Sequence, residues 1–283
     1  MKKLIKLLSF GGLISIIFII VGCPVIFLIS GSIKGNDELV FLLASIVKNV
    51  NRNVEWTLLP QYPTLRHFIN VMFDTPEFWV LFWNSMKIVC LVVFGQVCIS
   101  IPAAWGFAIY RSRWSVWIFR FYVFLMLLPF QTKMLADFLL LENLKLIDTH
   151  WSIVMPGIFS TYPIFILFQF FMKIPREVIE SARLDGAGEI RIFLKMGVPL
   201  AKNGIISVLI LSFIEYWNMI EQPLIFLERK DLWPLSLYMP TITETEIGGS
   251  FAKIVITTIP LIIIFWICHE NLKDGIKIMV NNE

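Results

Sequence analysis

Three polar side chains stand at helical spacing inside a strongly apolar stretch. Glu215, Asn218 and Gln222 fall at i, i+3 and i+7, so one helix would carry them on one face. An ionisable or amide group inside a membrane is costly, and it faces the bundle interior or a water-filled cavity. Two readings stay open: a pathway lining for a hydroxylated solute, or hydrogen bonds to a second membrane subunit. Glu221 lies off that row. The remaining inventory argues against covalent chemistry. There is no G-x-x-x-x-G-K-[ST] loop to cradle phosphates, and no G-x-S-x-G elbow. His67, His150 and His269 are scattered, with no H-E-x-x-H, so no metal site is expected. Cys23, Cys90, Cys98 and Cys268 lie in or near apolar runs without ligand spacing, and read as small buried hydrophobes.

A second stretch, residues 174–200, carries dense mixed charge between two apolar runs. Pro175 suits the first turn of a helix, where its missing N–H is no loss. Val178, Ile179, Ala182, Ile190 and Phe193 can share one face at steps of three and four. Gly186-Ala187-Gly188 then interrupts the helix. Gly186, directly after Asp185, is the expected left-handed position. Spacing alone fits either a solvated connecting loop or a docking element for another protein.

The elements that position both stretches follow from hydropathy. The chain is 57% hydrophobic, a composition that soluble chains of its length rarely reach. Apolar runs long enough to cross a bilayer are expected at 7–33, 77–110, 116–130, 153–172, 198–227 and 251–268. The fold class is therefore all-α, a single multi-pass membrane domain over residues 1–283 with about six spans. Lys2, Lys3 and Lys6 before the first run imitate a signal peptide, but the apolar run continues past Cys23, so a retained span is expected. Residues 34–76 form a mixed segment with a short helix near 41–47, expected on the outer side, and 131–151 reads as a polar-interrupted loop. The ten tryptophans read mostly as interfacial belts, and Lys87 in the second run receives no role. Lys and Arg crowd the termini and the turns at 111–120 and 173–195, but not the loops at 131–151 and 228–246. That bias places both termini and residues 174–200 in the cytoplasm.

Glu180-Ser181-Ala182, Asp185-Gly186-Ala187, Phe193 and Pro199-Leu200 together resemble the EAA loop of ABC importer permeases. Ser181 replaces the usual Ala at conserved small volume, Val198 stands where Leu is favoured, and Asn203 stands where Pro is common. Asn84-Ser85, the run from Ala103 to Ala108, residues 143–149, and Phe213 with Trp217-Asn218 resemble further pieces of the carbohydrate branch, close to the second maltose permease subunit. The resemblance covers about residues 60–275. It implies that Glu180, Ser181, Ala182, Asp185, Gly186 and Ala187 belong to a coupling helix seated on a cytoplasmic ATPase. It implies no cofactor in this chain, since ATP binds the partner ATPase. It also implies a second, usually non-identical permease subunit, two ATPase subunits, an extracytoplasmic solute-binding protein, and a place in the bacterial inner membrane. The implied solute is a sugar or oligosaccharide carried by alternating access. The alternatives are an importer permease for a non-sugar solute, a secondary transporter or a channel.

The charge bias makes a topological prediction. In a cysteine-free background, Lys230→Cys reacts with a membrane-impermeant thiol reagent applied to intact cells, and Arg183→Cys does not. Labelling at 183 with none at 230 would overturn the orientation.

Overall fold

The computed structural model describes residues 18–43, 57–110, 112–238 and 246–280, with side chains as far as residue 270. Among these residues the regular elements are helices, and extended backbone pairs only in an isolated bridge between Lys34 and Pro63. In chain order they are α1 (Phe18–Ser32), α2 (Asn36–Leu42), α3 (Arg66–Phe73) and α4 (Pro76–Ile109). Then come α5 (Arg113–Met126), α6 (Phe130–Asn143), α7 (Trp151–Ile158) and α8 (Thr161–Phe171). The chain continues through α9 (Arg176–Leu184), α10 (Glu189–Leu200), α11 (Lys202–Trp217), α12 (Glu221–Phe226) and α13 (Ile247–Val280).

α4, the stretch Trp151–Phe171, and the Ile247–Glu270 part of α13 are each long and apolar enough to cross a membrane. Two bent pairs qualify as wholes, α5 with α6 at 102° and α10 with α11 at 69°. That makes three to five candidate spans among the described residues. The first expected run, 7–33, is helical over its described part, and residues 7–17 lie outside the described residues.

Several expected boundaries are corrected, each for a local reason. The third run stops at Met126 instead of continuing to residue 130. Pro129 supplies no N–H and disfavours helical backbone at the residue before it, so the chain breaks and α6 starts anew. Residues 131–143, expected to be loop, belong to the helix Phe130–Asn143, with Lys133 and Asp137 one turn apart. The fifth run ends at Trp217, where Asn218 caps α11 by donating its side-chain N–H to the Ile214 carbonyl at 2.8 Å. A helix runs Asn36–Leu42, and most of the stretch 41–47, where a short helix is expected, lies outside the described residues. The sixth run is longer than expected, reaching Val280. Cys23, Cys90 and Cys98 are exposed, not buried; they sit on apolar flanks that this chain leaves uncovered.

The chain divides into two compact units, Met1–Trp79 with Met239–Pro260, and Val80–Tyr238 with Leu261–Glu283. In the first unit Leu39, Leu43 and Ile247 form a small core beside Phe251. Lys34 is fully buried there, pairing with Glu38 at 3.5 Å and donating to Thr57 Oγ1 at 2.9 Å. His67 Nε2 donates to the Lys34 carbonyl at 2.9 Å.

The second unit is built by close helix contacts at glycines. A Cβ on Gly95 would lie 2.5 Å from Ile158, and one on Gly204 would lie 2.4 Å from Phe170. Gln96 Nε2 donates to the Gly157 carbonyl at 2.8 Å, at the break between α7 and α8. Pro163 stands in the first turn of α8, where no N–H is missed. The central core ring is Trp105. It meets Phe171 edge-on at 5.3 Å and Phe193 at 5.7 Å between centroids.

Within α10 the residues Phe193–Gly197 form a π-helical turn, and Gly197 lies directly against Trp105. A Cβ at 197 would stand 2.6 Å from the indole, which Phe171 and Phe193 hold in place. Gly197→Leu therefore overpacks this core, at about 1–3 kcal/mol. A lower thermal midpoint of the detergent-purified protein is expected, and an unchanged midpoint would refute the contact.

Candidate functional site

The charged stretch folds as the sequence suggests at its centre and differently at its edges. Pro175 caps α9 with extended backbone, and the helix runs Arg176–Leu184. Ile179 and Ala182 are buried in the core that contains Trp105, while Glu177, Glu180, Ser181, Arg183 and Asp185 are exposed. The expected five-residue face is narrower than that. Val178 is exposed on α9 beside the buried Ile179, and past the bend Ile190 is exposed while Ile192 is buried. Gly186 has φ of +78°, a left-handed backbone that residues with a Cβ resist. Gly188 has φ of −68° and needs no glycine. Ala187 packs at the edge of the core, and its N–H donates to the Ala182 carbonyl at 3.0 Å, closing the turn.

A carboxylate holds the bend from outside. Arg183 Nε donates to Glu189 Oε1 at 2.7 Å, and its Nη2 donates to Oε2 at 3.2 Å. Tyr110, just beyond α4, donates its hydroxyl to the same Oε2 at 2.8 Å. The guanidinium, then the phenol, hold the Glu189 carboxyl below the usual carboxylate range. Beside this cluster a cavity of about 100 Å³ is lined by Ala108, Phe171, Ile174, Ile179, Glu180 and Arg183. Sequence reasoning missed Tyr110 and Glu189. A bidentate pair six residues apart leaves no helical spacing signal, because a glycine bend lies between its members.

The polar row of the fifth run does not form as expected. The helix ends at Trp217, so Glu215, Asn218 and Gln222 do not share one continuous face. The exposed flank of α11 is instead Leu211, Ile214, Glu215 and Asn218. Lys133 of α6 lies within electrostatic reach of Glu215. Glu221 accepts from Gln131 Nε2 at 2.9 and 3.1 Å, joining the starts of α12 and α6. Gln222 points its Oε1 into the protein without a hydrogen-bond partner. Among the described residues no cluster of side chains could hold a metal ion.

The segment between α12 and residue 238 is pinned to the helix ends. Asn84 Nδ2 donates to the carbonyls of Asp231 and Trp233 at 2.7 and 3.2 Å, and Ser85 Oγ accepts from Leu235 N–H at 2.7 Å. Asp148 adopts left-handed backbone, φ 57°, and its Oδ1 accepts from the N–H groups of Glu228 and Arg229 at 3.0 Å. These bonds offset a backbone cost of about 1–3 kcal/mol. His150 Nε2 donates to the Leu232 carbonyl at 3.2 Å. Burial pushes the His150 imidazole below its usual range, Lys87 adds to that, and the Leu232 bond and Asp231 oppose it.

The folded segment thus favours the neutral form of His150. Its contribution is complete above the free-imidazole value of about 6.5 and is lost as pH falls through the lower folded value. Acidification from about pH 7.5 to about 5.5 should raise amide exchange over 227–235, after correction for intrinsic rates. His150→Gln should remove that dependence. Equal protection at both pH values in the parent chain would contradict the assignment.

Comparisons with known proteins bear on this arrangement. The chain is 27% identical over 223 residues to the arabinooligosaccharides transport system permease protein AraQ of Halalkalibacterium halodurans, covering 77% of this chain and 80% of that one. It is 24% identical over 246 residues to the sn-glycerol-3-phosphate transport system permease protein UgpE of Shigella flexneri serotype 5b, covering 83% and 88%. It is 26% identical over 199 residues to the lactose transport system permease protein LacG of Rhizobium radiobacter, covering 69% and 73%. In three dimensions it matches a chain in the crystal structure of a bacterial ABC transporter involved in the import of the acidic polysaccharide alginate. The TM-score is 0.80 at 22% identity, covering 96% of this chain and 98% of that chain, and this likeness establishes the fold. The model of the family described as binding-protein-dependent transport system inner membrane component matches residues 96–277, which take in α9, the Gly186 bend and the whole of α11. With that match over more than half its length, the chain belongs to the family of inner membrane components of binding-protein-dependent transport systems.

Proposed function

We propose that the chain is one of two permease subunits of an importer whose solute is a sugar or oligosaccharide. In this reading the chain forms one membrane domain with six spans and both termini in the cytoplasm. α9 and the Gly186 bend are the docking element for a separate ATPase. Glu180, Ser181, Ala182, Asp185, Gly186 and Ala187 are its coupling residues. ATP binds that ATPase and not this chain, and an extracytoplasmic binding protein delivers solute from the other side. Closure of the ATPase pair moves α9, and the permease pair passes between inward-open and outward-open states.

One observation carries the coupling role: the short helix has its apolar residues Ile179 and Ala182 in the bundle core and its charged face exposed. A solvated connecting loop would need no such seat. The carbohydrate class is supported by the relatives named for arabinooligosaccharides and lactose. The exposed Glu215 and Asn218 on α11 support a path lined by polar groups, with Gln222 beyond the helix break as a further member. A phosphorylated polyol is the second reading, favoured by the relative named for sn-glycerol 3-phosphate.

Uptake of radiolabelled arabinotriose, lactose and sn-glycerol 3-phosphate, in cells with and without this chain, separates the two readings. Chain-dependent uptake of either sugar supports the first, and uptake of the phosphate alone establishes the second. Gly186→Val tests the coupling role. No atom outside the bend lies within 4 Å of a Cβ there, so the cost is torsional, about 1–2 kcal/mol. Membrane insertion should stay normal, while ATPase co-purification falls about tenfold and ATP-driven uptake is lost. Unchanged co-purification and uptake would reduce the stretch to a connecting loop.

A further inference from the structure

The Gly186 bend has no side chain of its own to stiffen it, and no atom outside the bend lies within 4 Å of the place a Cβ would occupy. A helix seated through one row of apolar residues, here Ile179 and Ala182, is fixed in distance but free to roll about that row. A second attachment off the row is needed if a push on α9 is to move the bundle. Glu189 is placed to supply it. Its two carboxylate oxygens take both ends of the Arg183 fork, closing the bend from the far side. The oxygen shared with Arg183 Nη2 also receives the Tyr110 hydroxyl, just past the last turn of the helix that carries Trp105. Bidentate guanidinium–carboxylate contact fixes an angle as well as a distance.

We propose that Glu189 is the positioning residue of the coupling segment. It locks the glycine bend through Arg183 and ties it to the end of α4 through Tyr110, so that displacement of α9 passes to α4 as well as to α11. The apolar contact with Trp105 sets how far apart α4 and the segment stand, and the carboxylate sets their relative rotation. This rests on the coupling reading of α9, and Glu189 acts through its neighbours, with no contact to solute required.

The test uses the complete complex with its ATPase, purified in nanodiscs. Hydrogen exchange is compared between the nucleotide-free state and the state trapped with MgATP and vanadate. The parent complex should show a nucleotide-dependent change in both 176–184 and 104–110. In Tyr110→Phe and in Glu189→Gln the change over 176–184 should persist, and that over 104–110 should fall by at least half. Exchange over 104–110 in the nucleotide-free state should stay as in the parent, which separates loss of transmission from loss of structure in α4. The double variant should be no worse than Glu189→Gln alone, because Tyr110 acts through that carboxylate. A full response over 104–110 in both single variants would overturn the proposal and leave the coupling reading intact. No response over 176–184 in the parent complex would overturn both.

Discussion

The contact between Trp105 and the turn around Gly197 is the constraint on which the rest of this arrangement depends. A charged segment must be held against an apolar bundle, and charge itself offers no adhesion to hydrocarbon. The chain answers with an aromatic seat. Phe171, Phe193 and the bare backbone of Gly197 enclose the indole, and Ile179, Ala182 and Ile192 join the same core. Interiors pack as densely as organic crystals, so such a seat transmits displacement instead of absorbing it. The π-helical turn at Phe193–Gly197 belongs to this constraint, since it is the stretch that brings Gly197 against the ring.

Polar groups then fix what the apolar seat leaves free. Beside α9, the Glu189 carboxylate gathers Arg183 and Tyr110 around the one left-handed glycine of the described residues. At the other end of the same unit, Asn84, Ser85, Asp148 and His150 bind the backbone of 228–235. Both devices join the ends of helices that are distant in sequence. Both sit where loops would otherwise carry unpaired backbone or unsupported turns.

Family membership and geometry meet at α9. The family match places this chain in a binding-protein-dependent transport system and in the inner membrane. The structure adds the physical form of the segment, a helix with its apolar side buried and its charged side outward. The exposed apolar flanks, which include Cys90 and Cys98, are the surfaces that lipid or a neighbouring subunit must cover.

How much of this was legible beforehand varied with the range of the interaction. Composition and run length determined the all-helical membrane class, because backbone in a bilayer must satisfy its own hydrogen bonds. Local chemistry placed the bend at Gly186, since left-handed backbone belongs to glycine, and placed the start of α9 at Pro175. Run length does not register the breaks at Pro129 and Asn218. Hydropathy averages over a window and does not register one residue that stops a helix, so the spacing of Glu215, Asn218 and Gln222 runs across an end that Asn218 itself caps. Only the tertiary structure decided that Glu189 meets Tyr110 across 79 positions, and that Trp105 meets Gly197. Neither contact has a period, because each is fixed by how whole helices pack and not by the spacing of residues along any one of them.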